Sequence, residues 1–262
     1  MDIVVFVKRV PLTSEADIAI GPDGKSIVEK DLVFDLNEPD KYAVEEAVQL
    51  KEKLGGTVTA ITLGTDASED ILRRCLATGA DRAIRLSDPA FDGSDAWAIA
   101  HILASSIKNI KYDLVLAGVQ SSDSLQAQVG VTLAELLGIP HCTVVNKLEI
   151  NGNLARANRE IEGGTEDVYE VQLPAVLTIQ TGINEPRYVS ILGIRKASRI
   201  EINVQGLPEL GMDATAAGPS GSMVHTEKLS LPISTKVGEI LSGSLEDMAG
   251  KLVGIIKEKG GL

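Results

Sequence analysis

Apolar runs of strand length punctuate the chain at residues 3–7, 58–63, 83–86, 114–117 and 176–179. They are rich in β-branched residues and nearly continuous in apolar character, as strands covered on both faces must be. Amphipathic stretches alternate with them, the signature of βαβ units around a parallel sheet. Residues 41–54 place Ala43, Val44, Ala47, Val48 and Leu54 on one stripe, opposite Glu45, Glu46 and Lys53, and Gly55-Gly56 stops the helix. Further helices are predicted over 67–78, ending at Gly79, over 95–108, with Ser94 as N-cap, and over 126–137, ending at Gly138.

The alternation breaks in the middle of the chain. Asn151-Gly152 lies between extended runs, a strong hairpin signal, and a third extended run covers 168–173. Residues 144–173 therefore read as an antiparallel addition to the sheet. The stretch 205–222 holds four Gly and two Pro and reads as a loop that contributes nothing to a core. A last helix is expected at 245–259. Ser244 and Asp247 form its capping box, and Leu245, Met248, Leu252 and Ile256 repeat at helical spacing before Gly260. A lone helix beyond a long loop has little to bury against. The pattern thus divides the chain into a Rossmann-like α/β domain, 1–205, and an arm, 206–262, that packs on another chain.

Composition narrows what such a fold can do. The chain has 262 residues, 44% hydrophobic, which excludes intrinsic disorder and allows one large domain or a domain with an appendage. A net charge of −12 and few aromatics argue against a nucleic-acid partner. They leave a nucleotide open, because N–H groups at a helix N-terminus can hold phosphate. Cys75 and Cys142 are too few for a disulfide framework, and Cys75 sits on a helical pattern as a small core residue. His101, His141 and Cys142 lack metal-ligand spacing, so no metal site is expected. The start of the chain lacks a basic region and reads as a buried strand. With no apolar run near ~20 residues, a soluble, cytoplasmic protein is expected.

In an open parallel sheet, ligands bind beyond the carboxyl ends of the strands. The segments there are 8–13, 36–40, 64–66 and 118–128. The last is a polar loop, with Gln120, Ser121, Ser122, Asp123, Ser124 and Leu125 opening a helix near Gln126. Hydroxyls and unpaired N–H donors at a helix start suit a phosphate; the alternative is that Asp123 and Ser124 merely cap the helix. No GxGxxG or Walker-type loop sharpens the choice. Lys8-Arg9 either faces this crevice or simply ends the first strand. Histidines are scattered and no GxSxG elbow exists, so no catalytic residues are assigned. Glu45-Glu46 and Glu69-Asp70 read as solvated pairs on exposed helix faces. The segment 181–196 reads as a loop whose Ile191, Leu192 and Ile194 form either a partner surface or a cover over the sheet.

Several segments carry a family resemblance. Asn184-Glu185-Pro186-Arg187-Tyr188, preceded by Glu160-Ile161-Glu162-Gly163-Gly164, resembles the β (small) subunit of electron-transfer flavoproteins. So do Val7-Lys8-Arg9-Val10, Asn37 with Ala43-Val44-Glu45-Glu46-Ala47, and Ala77-Thr78-Gly79-Ala80-Asp81-Arg82. The similarity runs in the family's order from residue 2 to about 200.

The resemblance implies an adenine-nucleotide-α-hydrolase-like domain paired with a larger α subunit that carries the redox FAD. Such a heterodimer takes electrons from acyl-CoA dehydrogenase-type flavoenzymes to a membrane quinone oxidoreductase; it is a carrier and no enzyme. It implies a structural AMP in this chain, or a second FAD at the same place in electron-bifurcating members that oxidise NADH. The matching positions are Phe6, Asn37, Glu38, Pro39, Asp40 and Leu63, with Gln120, Ser121, Ser122, Asp123, Ser124, Leu125, Gln126, Ala127, Gln128, Val129, Gly130 and Thr132. Val10, Pro11, Leu12 and Thr13 match the part that approaches the α-subunit flavin. Tyr188, Ile191, Leu192 and Ile194 match the recognition loop, with Ile191 at the anchoring leucine, and Glu160 matches a glutamate that pairs with an α-subunit arginine. The loop at 121–131 departs from both the bifurcating and the AMP-type patterns, and Thr13 lies nearer the bifurcating one; AMP is favoured, with FAD the alternative. A free-standing adenine-nucleotide-binding module is the reading from another class. An ATP-pyrophosphatase would need an SGGxDS-like loop where the chain has Lys8-Arg9-Val10-Pro11-Leu12-Thr13.

Overall fold

A computed structural model describes residues 1–13, 16–232, 238 and 240–260. The strands are β1 (Asp2–Phe6), β2 (Arg9–Pro11), β3 (Phe34–Leu36), β4 (Thr57–Leu63), β5 (Arg82–Leu86), β6 (Leu114–Gly118), β7 (His141–Asn151), β8 (Leu154–Ile161), β9 (Thr165–Gln172), β10 (Ala175–Ile179) and β11 (Ile202–Gln205). The helices are α1 (Glu38–Leu54), α2 (Glu69–Thr78), α3 (Ala96–Ile107), α4 (Val129–Leu137), α5 (Ile191–Ala197), α6 (Leu207–Leu210), α7 (Gly218–Gly221) and α8 (Leu245–Glu258).

Nine strands form one sheet in the order β11-β5-β4-β1-β6-β10-β7-β8-β9, and β2 pairs with β3 beside it. Every pairing from β11 to β7 is parallel, whereas β7, β8 and β9 pair antiparallel. The apolar runs became strands because both sheet faces are covered. Ile3 and Val5 point into a core with Ala43, Ala47, Leu72 and Cys75 of α1 and α2. Val4 and Phe6 point into a second core with Ile102, Ile107 and Leu133 of α3 and α4. Burying each such side chain contributes about 1.5–3 kcal/mol. The hairpin at Asn151-Gly152 forms as expected, with Gly152 at φ 62°.

Four expectations about local structure are corrected. Helix α1 starts at Glu38 rather than 41, with Pro39 in its first turn, where a missing N–H costs nothing. Asp95, not Ser94, caps α3, accepting from Ala98 N at 2.9 Å; Ser94 Oγ donates to Phe91 O instead. Helix α4 begins at Val129 rather than near Gln126, because Leu125 and Ala127 adopt positive φ, at 53° and 52°. Residues 191–197 of the expected loop are a helix capped by Ser190, whose Oγ accepts from Gly193 N at 3.0 Å.

The stretch 205–222 is also more ordered than a loop. It carries the end of β11 and the short helices α6 and α7, and Leu210 and Ala217 enter the second core. The main compact unit accordingly comprises Met1–Ala19 and Val28–Glu227, so the division falls near 227 rather than near 205. The second unit combines Ile20–Ile27 with Lys228–Leu262. Within it, Leu229 N donates to Gly24 O at 2.8 Å, and α8 is capped by Ser244, whose Oγ accepts from Asp247 N at 3.2 Å. Leu245, Leu252, Val253 and Ile255 of α8 are exposed. Among the described residues no helix is long and apolar enough to cross a membrane.

Candidate functional site: the crevice between β1 and β6

The chain lays down β1, β4 and β5 in one direction, then returns to place β6 and β10 on the other side of β1. The sheet order therefore reverses between β1 and β6, and the connections leaving their carboxyl ends diverge to opposite faces. That divergence opens a crevice, the place where open α/β sheets take ligands.

Buried polar side chains hold its walls. Asp40 accepts from Lys8 N at 2.8 Å through Oδ2 and from Gly118 N at 3.0 Å through Oδ1, tying the end of β1 to the end of β6. Burial is the largest influence on this carboxyl and pushes it up to about 7, against N–H donors that favour the ionised form. Gly118 is required by the close approach: a Cβ there would sit 2.2 Å from Asp40 Oδ1 and 2.8 Å from Pro39 Cβ. Asn37 Nδ2 donates to Gln120 O at 2.9 Å, and its Oδ1 accepts from Ser122 N at 3.1 Å, fastening the loop after β6 to the start of α1.

The loop itself is exposed and rich in donors. Ser121 and Ser124 hydroxyls lie 2.8 Å apart, and Leu125 N donates to Ser121 O. Lys8 reaches across from β1, with Nζ 2.7 Å from Asp123 Oδ2 and 3.4 Å from Ser121 Oγ. Burial acts to raise the Asp123 carboxyl, but the Lys8 ammonium and the Ser121 hydroxyl together outweigh it and hold it below its ordinary value. Among the described residues no hydrogen bond engages the N–H groups of Gln126, Ala127 or Gln128. The positive φ at Leu125 and Ala127 precedes a right-handed Gln128 (φ −103°, ψ −31°), and alternation of this kind curls successive N–H groups into an anion-binding concavity. Gly130 lets the first turn of α4 approach β10, since a Cβ would lie 2.4 Å from Thr178 Cγ2. Free N–H groups, two hydroxyls and one ammonium suit the phosphate of a nucleotide.

The structure gathers most of the sequence-selected positions around this crevice but gives them different parts. Phe6 is buried in the core, and the side chains of Asn37 and Asp40 bond to backbone groups of Gln120, Ser122, Lys8 and Gly118 at the rim of the crevice. Glu38 is exposed at the start of α1, Pro39 stands beside Gly118, and Leu63 ends the neighbouring β4. Ser122, Asp123, Ser124, Leu125, Gln126, Ala127 and Gln128 are exposed; Val129, Gly130 and Thr132 lie in the first turn of α4. Of the segment 10–13, Val10 and Pro11 are buried in the β2–β3 pair, and only Leu12 and Thr13 are exposed.

A second group lies elsewhere. Tyr188, Ile191, Leu192 and Ile194 are 99, 84, 77 and 57% exposed, a contiguous apolar patch. A groove of about 600 Å³, lined in part by Tyr188 and Ile194, runs between α1, α2 and residues 186–198. Glu160 stands on β8, opposite Glu166 of β9, in the antiparallel extension and not in this patch. Glu45 and Glu46, expected to be solvated, are buried; Glu45 pairs with Arg187 and Glu46 accepts from Asn184. Sequence left Lys8 between facing the crevice and ending the first strand, and gave Arg187 no part beyond the family resemblance; Lys8 faces the crevice and Arg187 pairs with Glu45. The position of Lys8 at a strand end is the one local signal that bears on either.

The fold defines a Rossmann-like α/β protein with its open crevice at the switch point. Residues 25–210 match the model of the electron transfer flavoprotein domain. The electron transfer flavoprotein subunit beta of Methylophilus methylotrophus is 39% identical over 262 residues, covering 98% of each chain. That of Thermoanaerobacterium thermosaccharolyticum is 39% identical, covering 97% of this chain and 96% of its own. The caffeyl-CoA reductase-Etf complex subunit CarD of Acetobacterium woodii is 38% identical over 99% of each. This chain belongs to the electron transfer flavoprotein β-subunit family.

Proposed function

We propose that the chain is the small subunit of a two-subunit electron carrier, holding a structural AMP in the β1–β6 crevice and pairing with a larger, FAD-bearing α subunit. The similarity to named β subunits along almost the whole chain carries this reading. The flavin supplies the redox chemistry, and protein supplies position and electrostatics. In this chain, the N–H groups of Gln126, Ala127 and Gln128, the hydroxyls of Ser121 and Ser124, and Lys8 Nζ would meet the AMP phosphate, while Asn37 and Asp40 keep the crevice open.

Leu12 and Thr13 would lie toward the α-subunit flavin, and Glu160 and α8 would contact the α subunit. The patch at Tyr188, Ile191, Leu192 and Ile194 would dock an acyl-CoA dehydrogenase-type donor, with a membrane quinone oxidoreductase as acceptor and the cytoplasm as the compartment.

Co-expression with the α subunit, followed by acid extraction and chromatography of the released nucleotides, tests the reading. One FAD and one AMP per heterodimer are expected. Two FAD and NADH oxidation would replace it with a bifurcating carrier. A stable monomer that never co-purifies with a flavin-binding chain would leave a free-standing nucleotide-binding module. Full redox flavin in the isolated chain would overturn the division of labour.

A further inference from the structure

The exposed apolar patch begins one residue after a side chain that is fastened on both flanks. Arg187 straddles α1. Its Nε lies 2.9 Å from Glu45 Oε2 and its Nη2 3.0 Å from Glu45 Oε1. The other edge of the guanidinium forks onto Glu52, with Nη1 to Oε1 at 2.7 Å and Nη2 to Oε2 at 3.0 Å. The backbone N–H of Arg187 also donates to Glu45 Oε2, at 3.1 Å. Three residues earlier, Asn184 Nδ2 donates to Glu46 Oε2 at 3.0 Å and to Tyr42 O at 3.1 Å.

The electrostatics agree with the geometry. Burial acts to raise Glu45, but the hydrogen bonds from Arg187 and Gln49 together outweigh it and hold the carboxyl below its ordinary value. Arg187 lowers Glu52 too, and both carboxylates push the guanidinium up. Burying an ion pair costs desolvation that its attraction only partly offsets, so stability alone is a weak reason for such a site. Position is a better one. A planar fork that meets two carboxylates at once fixes orientation as well as distance.

Beyond the clamp the chain forms the short helix α5, with its apolar residues turned outward. Ser190 caps α5 and Gly193 packs against α2, where a Cβ would come 2.6 Å from Ala77 O. Arg73 of α2 donates to Ala197 O at 2.7 Å and to Ile200 O, anchoring the far end. The patch is thus held at both ends while Tyr188, Ile191, Leu192 and Ile194 remain free. Ordering such a surface before it meets a partner removes an entropy cost from association.

We propose that Arg187 is a positioning residue for docking: its two-carboxylate clamp on α1 pre-organises the apolar patch in the conformation a donor flavoenzyme meets. This rests on the docking role proposed above for that patch.

The test uses the intact heterodimer. Hydrogen–deuterium exchange over 186–197 is measured in the wild type, Arg187→Met and Glu52→Gln. Alongside it, KM and kcat are measured for reduction by an acyl-CoA dehydrogenase charged with its acyl-CoA, with Ile191→Ala as the comparison. Arg187→Met is expected to speed exchange in that segment and to raise KM about tenfold, with kcat and the flavin spectrum unchanged. Glu52→Gln should move both in the same direction by less, and it serves if Arg187→Met fails to fold. Arg187→Met combined with Ile191→Ala should raise KM by less than the product of the two single effects, since both act through one surface. Faster exchange with an unchanged KM would make the clamp merely structural and overturn the proposal. So would a raised KM with unchanged exchange. A KM raised by Ile191→Ala but not by Arg187→Met sinks the clamp alone, whereas an unchanged KM in Ile191→Ala sinks the docking surface itself.

Discussion

Lys8 Nζ lies 2.7 Å from the Asp123 carboxylate, so a cation at the end of β1 and an anion in the loop after β6 close one crevice from opposite sides. A phosphate entering there competes with Asp123 for the same ammonium. A charge-assisted hydrogen bond is worth about 1.5–3 kcal/mol, or roughly ten- to hundredfold in affinity. Lys8→Met should weaken AMP binding to the nucleotide-stripped heterodimer by about that factor in calorimetric titration. Asp123→Asn should tighten it by freeing Lys8. Equal weakening by both variants would show that Asp123 serves the ligand directly.

Asp40 should make stability depend on pH in an unusual direction for an aspartate. Its carboxyl is raised from 3.8 to about 7 by burial. Between those values the folded state keeps a proton that the unfolded state has lost, so stability falls as pH rises through the window and levels off above about 7. The full span is of order 4 kcal/mol. Urea melts at several pH values should show the gap between wild type and Asp40→Asn changing from pH 4.5 to 7.5. A constant gap would mean Asp40 stays ionised throughout.

Gly118→Ala should destabilise by about 1–3 kcal/mol, the usual cost of overpacking. The added methyl meets the Asp40 carboxylate and backbone N–H, neither of which can retreat without breaking the tie between β1 and β6. Gly250→Ala on α8 is the control. Its Cβ would meet nothing, and alanine favours a helix by up to about 1 kcal/mol. Thermal melts that shifted equally for both would remove the packing argument.

Ile191→Ala should weaken docking to a donor flavoenzyme by roughly ten- to hundredfold, the worth of about 1.5–3 kcal/mol of lost aliphatic burial. Flavin absorbance should not change. Stopped-flow reduction at several donor concentrations reads the effect directly, and identical kinetics would exclude the patch as a docking anchor.

Five of the parallel strands were legible because burial on both faces leaves a short, β-branched apolar run bounded by turn signals; β11, with Asn203 and Val204 exposed, carries no such run and was not read. The hairpin was legible because Gly152 must adopt positive φ. The start of α4 was not. Gln126, Ala127 and Gln128 are good helix formers, and the left-handed turns at Leu125 and Ala127 are demanded by tertiary context that propensity does not contain. The crevice could be placed from topology and its serines read from the strand end. The strand-end position of Lys8 pointed toward the crevice, but its bridge to Asp123 spans 115 residues and nothing local names that partner. Glu45 and Glu46 looked like surface charges for the same reason, since the partner of Glu45 lies 142 residues further on.

The bond from Leu229 N to Gly24 O joins two segments roughly 200 residues apart. The second compact unit is discontinuous in the chain, so its assembly has to wait until the loop carrying the whole sheet has closed. Contacts of such sequence separation form late in folding and gain little from local structure. A nascent chain can therefore complete its sheet while the 20–27 turn still lacks its C-terminal complement, and a truncation near residue 227 would leave it in that state permanently.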